Sequence, residues 1–232
     1  MRNIILFLFL LPLMAYGQTY KYIGVEDGLS NRRIYNIQKD RQGYMWFLTS
    51  EGMDRYNGHD IRHYKLIEAN RELNSEVNLG WLYADKKGGI WVVGKKGRIF
   101  RYEEKYDFKM VYKLPEATDV INYGYMDHNS TIWLCSKDSI LLYNTETTQT
   151  TQFPNVLDDD ITVVEQTDDT HFFIATEMGV RYTQLDKGTL HIIPLETLDN
   201  VYTQINGLYF HRQLQRLFIG TFSDGTFAYD MS

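Results

Sequence analysis

Residues 43 to 56 read GYMWFLTSEGMDRY: a glycine, an apolar run interrupted by polar positions, a turn at Glu51 and Gly52, and a closing run that ends on tyrosine. Short runs with period-two alternation, bounded by turn residues, are the mark of paired β-strands. Outward from this hairpin, Ile34 to Gln38 reads as a strand that reaches Met45 through a turn at Asp40 to Gly43. Beyond a turn at Asn57 and Gly58, Ile61 to Tyr64 reads as a fourth strand.

The unit recurs. GGIWVVGKKGRIFRY (88 to 102), STIWLCSKDSILLY (130 to 143), HFFIATEMGVRY (171 to 182) and RLFIGTFSDGTFAY (216 to 229) align on it. The aromatic anchors Trp46, Trp91, Trp133, Phe173 and Phe218 are spaced by 45, 42, 40 and 45 residues, and each leads to a closing tyrosine at Tyr56, Tyr102, Tyr143, Tyr182 or Tyr229. In the first three copies an aspartate, Asp40, Asp85 or Asp127, stands six residues before the tryptophan; Thr167 and Arg212 replace it in the last two. Four-stranded units at this period define β-propeller blades, small twisted sheets that hide their faces by packing on one another. The expected fold is all-β, a propeller of four-stranded antiparallel blades with about five blades present, near residues 28–65, 78–112, 120–153, 161–194 and 201–229. Residues 20–25 are a candidate strand to complete the last blade, and LIEANRELNSEV (66 to 77) reads as a loop or single turn between the first two.

The repeated residues read as architecture. A large aromatic in the second strand fills the wedge between adjacent sheets, where its burial is worth roughly 3 kcal/mol. The aspartate caps the tight turn that follows the first strand by accepting backbone N–H groups, and Gly43 and Gly88 supply the positive φ such turns use.

Composition narrows the classes. With 232 residues, 44% hydrophobic and 15% aromatic, the chain can bury a substantial core. Its 24 basic and 30 acidic residues are mixed along the chain for a net charge of -6, so no basic face offers itself to a phosphate backbone and nucleic acid is not an expected partner. The N-terminal MRNIILFLFLLPLMAYGQ carries Arg2, an apolar run from Ile4 to Met14 and the triplet Ala15, Tyr16, Gly17. This reads as a secretory signal peptide over residues 1–17, cleaved after Gly17, and the run is shorter than the roughly 20 residues a membrane span needs. Cys135 is the single cysteine, within the strand-like TIWLCS, and reads as a small buried hydrophobe.

Catalytic patterns are weak. His59 and His63 in HDIRH lie in a predicted strand, where their separation of about 13 Å is too great to hold one ion. Asp158, Asp159 and Asp160 lack the glycine and glutamate of a calcium loop. GKKGR (94 to 98) has neither the following helix nor the serine or threonine of a phosphate loop. Asn129 heads a formal glycosylation sequon. No catalytic residue, cofactor or metal is expected. Ligands of propellers bind where loops lead into the innermost strands at one mouth of the channel. Those loops hold Asn31, Arg32 and Arg33, then Asn78 and Trp81, then Asn122 and Tyr123. Amides and guanidinium groups bond hydroxyls and carboxylates, and rings stack on apolar sugar faces, so an oligosaccharide is the suspected ligand.

The stretch GLSNRRIYNIQKDRQGYMWFLTSEGMDRYNGHDIRHYK resembles the repeat of the two-component regulator propeller family, with the likeness extending over residues 22 to 229 and weakest in the last two copies. The WD dipeptide of WD40 blades is absent, and the paired glycines of kelch blades occur once, at Gly88 and Gly89. The resemblance implies the periplasmic sensor half of a hybrid two-component system, in which propellers detect a glycan fragment and a cytoplasmic histidine kinase follows a membrane helix. On this reading the chain is not itself an enzyme and is a truncated sensor, preferred over a closed five-bladed ring. It would reach a membrane only through C-terminal parts it lacks, and would form a homodimer only in the full-length context. A free-standing secreted binding or scaffold module, and a propeller glycan lyase or hydrolase, are the alternatives.

Overall fold

A computed structural model describes residues 20–69, 71–73, 79–105, 107–115, 120–195, 198 and 204–231. The signal-peptide segment and Asn78 lie outside these residues. The described strands form five successive sheets, and no α-helix occurs among the described residues.

Blade 1 is β1 (Ile34–Lys39), β2 (Met45–Thr49), β3 (Gly52–Tyr56) and β4 (Ile61–Tyr64), paired in that order. Blade 2 is β7 (Leu79–Ala84), β8 (Ile90–Gly94), β9 (Arg98–Glu103) and β10 (Asp107–Lys113). Blade 3 is β11 (Tyr123–Met126), β12 (Thr131–Cys135), β13 (Ser139–Asn144) and β14 (Thr150–Pro154); blade 4 is β15 (Ile161–Gln166), β16 (His171–Thr176), β17 (Gly179–Asp186) and β18 (Thr189–Ile193). Blade 5 shows three strands, β19 (Ile205–His211), β20 (Arg216–Thr221) and β21 (Thr226–Asp230). Pairing within each blade is antiparallel, and the first strands β1, β7, β11, β15 and β19 neighbour one another in succession along the inner side.

Two expectations are corrected. The segment read as a loop or turn at 66–77 holds a hairpin, β5 (Leu66–Glu68) and β6 (Arg71–Leu73), in which β5 pairs parallel to β10 at the outer edge of blade 2. Leu66 is buried in the cluster between blades 1 and 2, so the chain leaves blade 1 along its neighbour's edge and satisfies its backbone there. Residues 20–25 form no strand beside β21. Val25–Asp27 form a single 3-10 turn, and Leu29 is buried. Ser30 binds the fully buried Asp54 twice, through its N–H and its hydroxyl, each at 2.8 Å. A buried carboxylate needs donors, and Ser30, with His63 Nδ1 at 2.6 Å, supplies them, which holds the N-terminal segment on blade 1.

Four apolar clusters alternate with the sheets, each built from two consecutive blades. Each anchor in blades 1 to 4 faces the following blade: Trp46 lies 4.9 Å from Tyr102 and 5.6 Å from Phe108, Trp133 lies 4.7 Å from Phe172, and Phe173 packs with Leu217 and Ile219. Phe218, the fifth anchor, is half-buried beside Tyr209, which is 58% exposed, and Ile37 on the reverse face of blade 1 is 51% exposed. The outer faces of the first and last blades are thus apolar and turned to solvent.

Candidate functional site

The two ends of the inner strands differ. At their N-terminal ends lie the residues expected to meet ligand. Asn31 accepts the Arg33 N–H at 2.8 Å, which curls the chain so that Arg32 and Arg33 are exposed ahead of β1, with the Arg33 guanidinium 5.5 Å from the Tyr35 ring. Trp81 and Tyr123 meet edge to face at 6.1 Å, and a Cβ on Gly124 would come within 2.7 Å of the Trp81 ring, so only glycine lets the indole lie there. Asn122 donates its side-chain N–H to Asp160, and burial raises the Tyr123 hydroxyl above its ordinary value. The structure therefore engages Trp81 and Tyr123 in a ring contact between blades 2 and 3 and ties Asn122 to Asp160 ahead of blade 4, and leaves Arg32 and Arg33 as the exposed groups of the set. Asp159 accepts the Met178 N–H, so the acidic run is a bonded turn. Among the described residues no cluster of histidine, cysteine and carboxylates could hold a metal.

At the C-terminal ends the repeated aspartate does more than cap a turn. One oxygen of each accepts backbone N–H groups, from Tyr44 in blade 1, Lys87 and Gly89 in blade 2, and Asn129 and Thr131 in blade 3, all at 2.8 to 2.9 Å. The other accepts the indole N–H of the anchor six residues on: Trp46 from Asp40 at 2.7 Å, Trp91 from Asp85 at 2.8 Å and Trp133 from Asp127 at 3.1 Å. Spacing alone showed the pair; the bond between its members was missed, although an Asp six residues before every Trp anchor, and before no Phe anchor, was its signal. Gly43 and Gly88 take φ of +90° and +87° in these turns, as expected, while Ser130 and Gln215 adopt +61° and +48° at the corresponding places in blades 3 and 5.

Where the anchor is phenylalanine there is no N–H to meet, and Thr167 and Arg212 stand in place of aspartate. Two cavities flank Arg212, one of about 290 Å³ at the outer junction of blades 4 and 5 and one of about 540 Å³ reaching across blades 3, 4 and 5. The larger is lined by His128, Glu165, Gln166, Tyr209, His211 and Arg212, among others. Burial raises the Glu165 carboxyl above the usual carboxylate value, opposed by the Phe210 N–H that it accepts at 2.9 Å and by the charges of His128 and Arg212. No sequence motif marked these residues.

Comparison with known proteins accords with this architecture. Residues 28–51, which hold β1 and β2, match the family described as two component regulator propeller. The chain is similar in fold to the extracellular domain of a putative hybrid two component system, BT3049, from B. thetaiotaomicron, at 20% identity and a TM-score of 0.67; the likeness covers 90% of this chain and 30% of that one. It is similar to the extracellular domain of the putative one component system BT4673 from the same organism, at 16% identity and a TM-score of 0.63, over 88% of this chain and 28% of that one. It also shares a fold with virginiamycin B lyase from Staphylococcus aureus, at 13% identity and a TM-score of 0.59, over 88% of this chain and 72% of the lyase. The chain thus spans less than a third of these two extracellular domains. No curated protein matches the sequence. Among the described residues no helix is long and apolar enough to cross a membrane.

Proposed function

We propose that this chain is a ligand-sensing propeller of a two-component sensor, exported to the periplasm by a signal peptide cleaved after Gly17, and that it detects a carbohydrate fragment without turning it over. The observation that carries this reading is the family match at residues 28–51, set in a fold shared with the extracellular domains of a putative hybrid two component system and a putative one component system. The exposed Arg32 and Arg33, with Asn31 beside them, are the groups through which a glycan would be held: guanidinium donors bond sugar hydroxyls and carboxylates. Trp81, Asn122 and Tyr123 support that mouth from within. Kinase output and dimerisation belong to the full-length sensor.

Titration calorimetry of the purified chain against an oligosaccharide panel tests this. Binding of one glycan class, weakened at least tenfold by Arg33→Ala and without any change in the glycan, is the expected result. Silence across the panel would remove carbohydrate as the ligand, and turnover would move the protein to the lyases and hydrolases.

A further inference from the structure

The cavity of about 540 Å³ lies at the opposite end of the inner strands from Arg33. Gln166 is the last residue of β15, His211 the last of β19, His128 sits in the turn after β11, and Arg212 opens the turn after β19. Its volume falls within the roughly 300–1,000 Å³ of small-ligand clefts, and it is a shallow cleft open to solvent.

One of its donors is orphaned and the others are oriented by their neighbours. Gln166 is 3% exposed, and its amide is oriented because Oε1 accepts the His128 backbone N–H at 2.6 Å; Nε2 is then a buried donor with no hydrogen-bond partner. A buried amide donor left unmatched costs about 1–3 kcal/mol, and such orphans call for an explanation. His211 Nδ1 accepts the Leu214 N–H at 3.2 Å, which places the proton of the neutral ring on Nε2. The Arg212 Nη2 lies 3.5 Å from Nδ1 of His128, which sets the guanidinium beside that imidazole. Arg212 occupies the position that the first three blades give to the aspartate bound to tryptophan, and Phe218 offers no N–H there; its guanidinium therefore serves no anchor. Against these donors stand the Glu165 carboxyl, as the charged acceptor, and an exposed aromatic ring, Tyr209.

We propose that this cavity is a second binding site, for a small hydroxylated carboxylate of the sugar-acid class. The ligand carboxylate meets Arg212, its ring or hydroxyl oxygens accept from Gln166 and the two imidazoles, one hydroxyl donates to Glu165, and its apolar face lies on Tyr209. A simple anion would leave Glu165 facing like charge, whereas a neutral sugar would leave the guanidinium unmatched; the mixed lining fits a ligand that carries both groups. The site stands independently of the one proposed around Arg33.

The test is titration of the purified chain with D-glucuronate, D-glucose and acetate, read by calorimetry and by histidine chemical shifts. D-glucuronate is expected to saturate and to bind at least tenfold more tightly than the other two. Arg212→Ala, a change at an exposed turn, is expected to weaken it tenfold or more, and Lys137→Ala, at an exposed turn in blade 3, to leave it unchanged. Loss of binding on Arg212→Ala with glycan binding at the Arg33 end intact supports two sites. No saturation by glucuronate, equal binding of acetate, or an unchanged affinity in Arg212→Ala overturns the proposal.

Discussion

Blades 1 to 4 share one four-strand layout, of which blade 5 shows the first three strands among the described residues, and blades 1 to 3 differ from blades 4 and 5 at one pair of positions. In the first group a carboxylate binds an indole N–H inside the wedge between sheets; in the second both members are gone. The joint loss follows from the cost of burial. An indole N–H or a carboxylate left alone in an apolar wedge forfeits its hydration, whereas exchanging both for groups without unmet hydrogen bonds can be nearly neutral. Blade 4 is still well packed, with Phe173 2% exposed, so the clamp is one way to hold an anchor and not a condition of the fold.

The strongest test of the comparison is Trp133→Ala. The side chain is fully buried between blades 3 and 4, and its removal is expected to cost about 3–5 kcal/mol in denaturant unfolding. A cost below about 1 kcal/mol would mean that the anchors do not carry the stack. Next, Asp127→Thr leaves the indole N–H and two turn amides without their acceptor and is expected to cost about 2–3 kcal/mol. Combining it with Trp133→Phe rebuilds the blade 4 pair in blade 3. The double variant is expected to cost less than the sum of the single changes by about 1–2 kcal/mol, and strict additivity would break the comparison.

Alkaline pH reaches the first group through its buried acids. Burial pushes the Cys135 thiol up to about 12 from an ordinary 9.0, and burial also raises the hydroxyls of Tyr64, Tyr83 and Tyr125. These groups stay protonated in the folded chain and ionise earlier once it unfolds. The unfolded state therefore loses protons first, and stability falls as pH rises above about 9, by about 1.4 kcal/mol per pH unit for the thiol alone. Unfolding midpoints at pH 7.5, 9 and 10.5 should be level and then fall; a flat profile would place the thiol in contact with water. The smallest effect is expected at Gln215, which holds φ of +48° where blades 1 and 2 use glycine. Gln215→Gly removes that strain but gives up the bond from its Nε2 to the Arg212 carbonyl, for a net gain of at most about 1 kcal/mol in thermal unfolding.

What the sequence made legible was whatever repeats. Trp46, Trp91, Trp133 and their closing tyrosines revealed strand order and blade number because each copy solves the same packing problem with the same residue. The β5–β6 hairpin occurs once, and its LIEANRELNSEV offers polar residues at mixed spacing, so neither period dominates and only its pairing to β10 makes it a strand. The placement of residues 20–30 depended on Asp54, whose burial comes from tertiary packing that no local pattern records. Of the expected ligand residues, Arg32 and Arg33 are exposed, while Asn122 proves to be bonded to Asp160, a partner 38 residues away. The cavity beside Arg212 stayed hidden because its residues come from the ends of β15 and β19 and from two turns, brought together only by the packing of blades 3, 4 and 5.

Because each apolar cluster joins only two consecutive blades, energy in this molecule is local in the manner of a row of coupled links. Loosening one junction should release its two blades and leave the next junction nearly as it was. Amide exchange should then be graded by position, slowest along β12, whose blade is gripped on both faces, and fastest on β1 and β19, where one face of the sheet meets water.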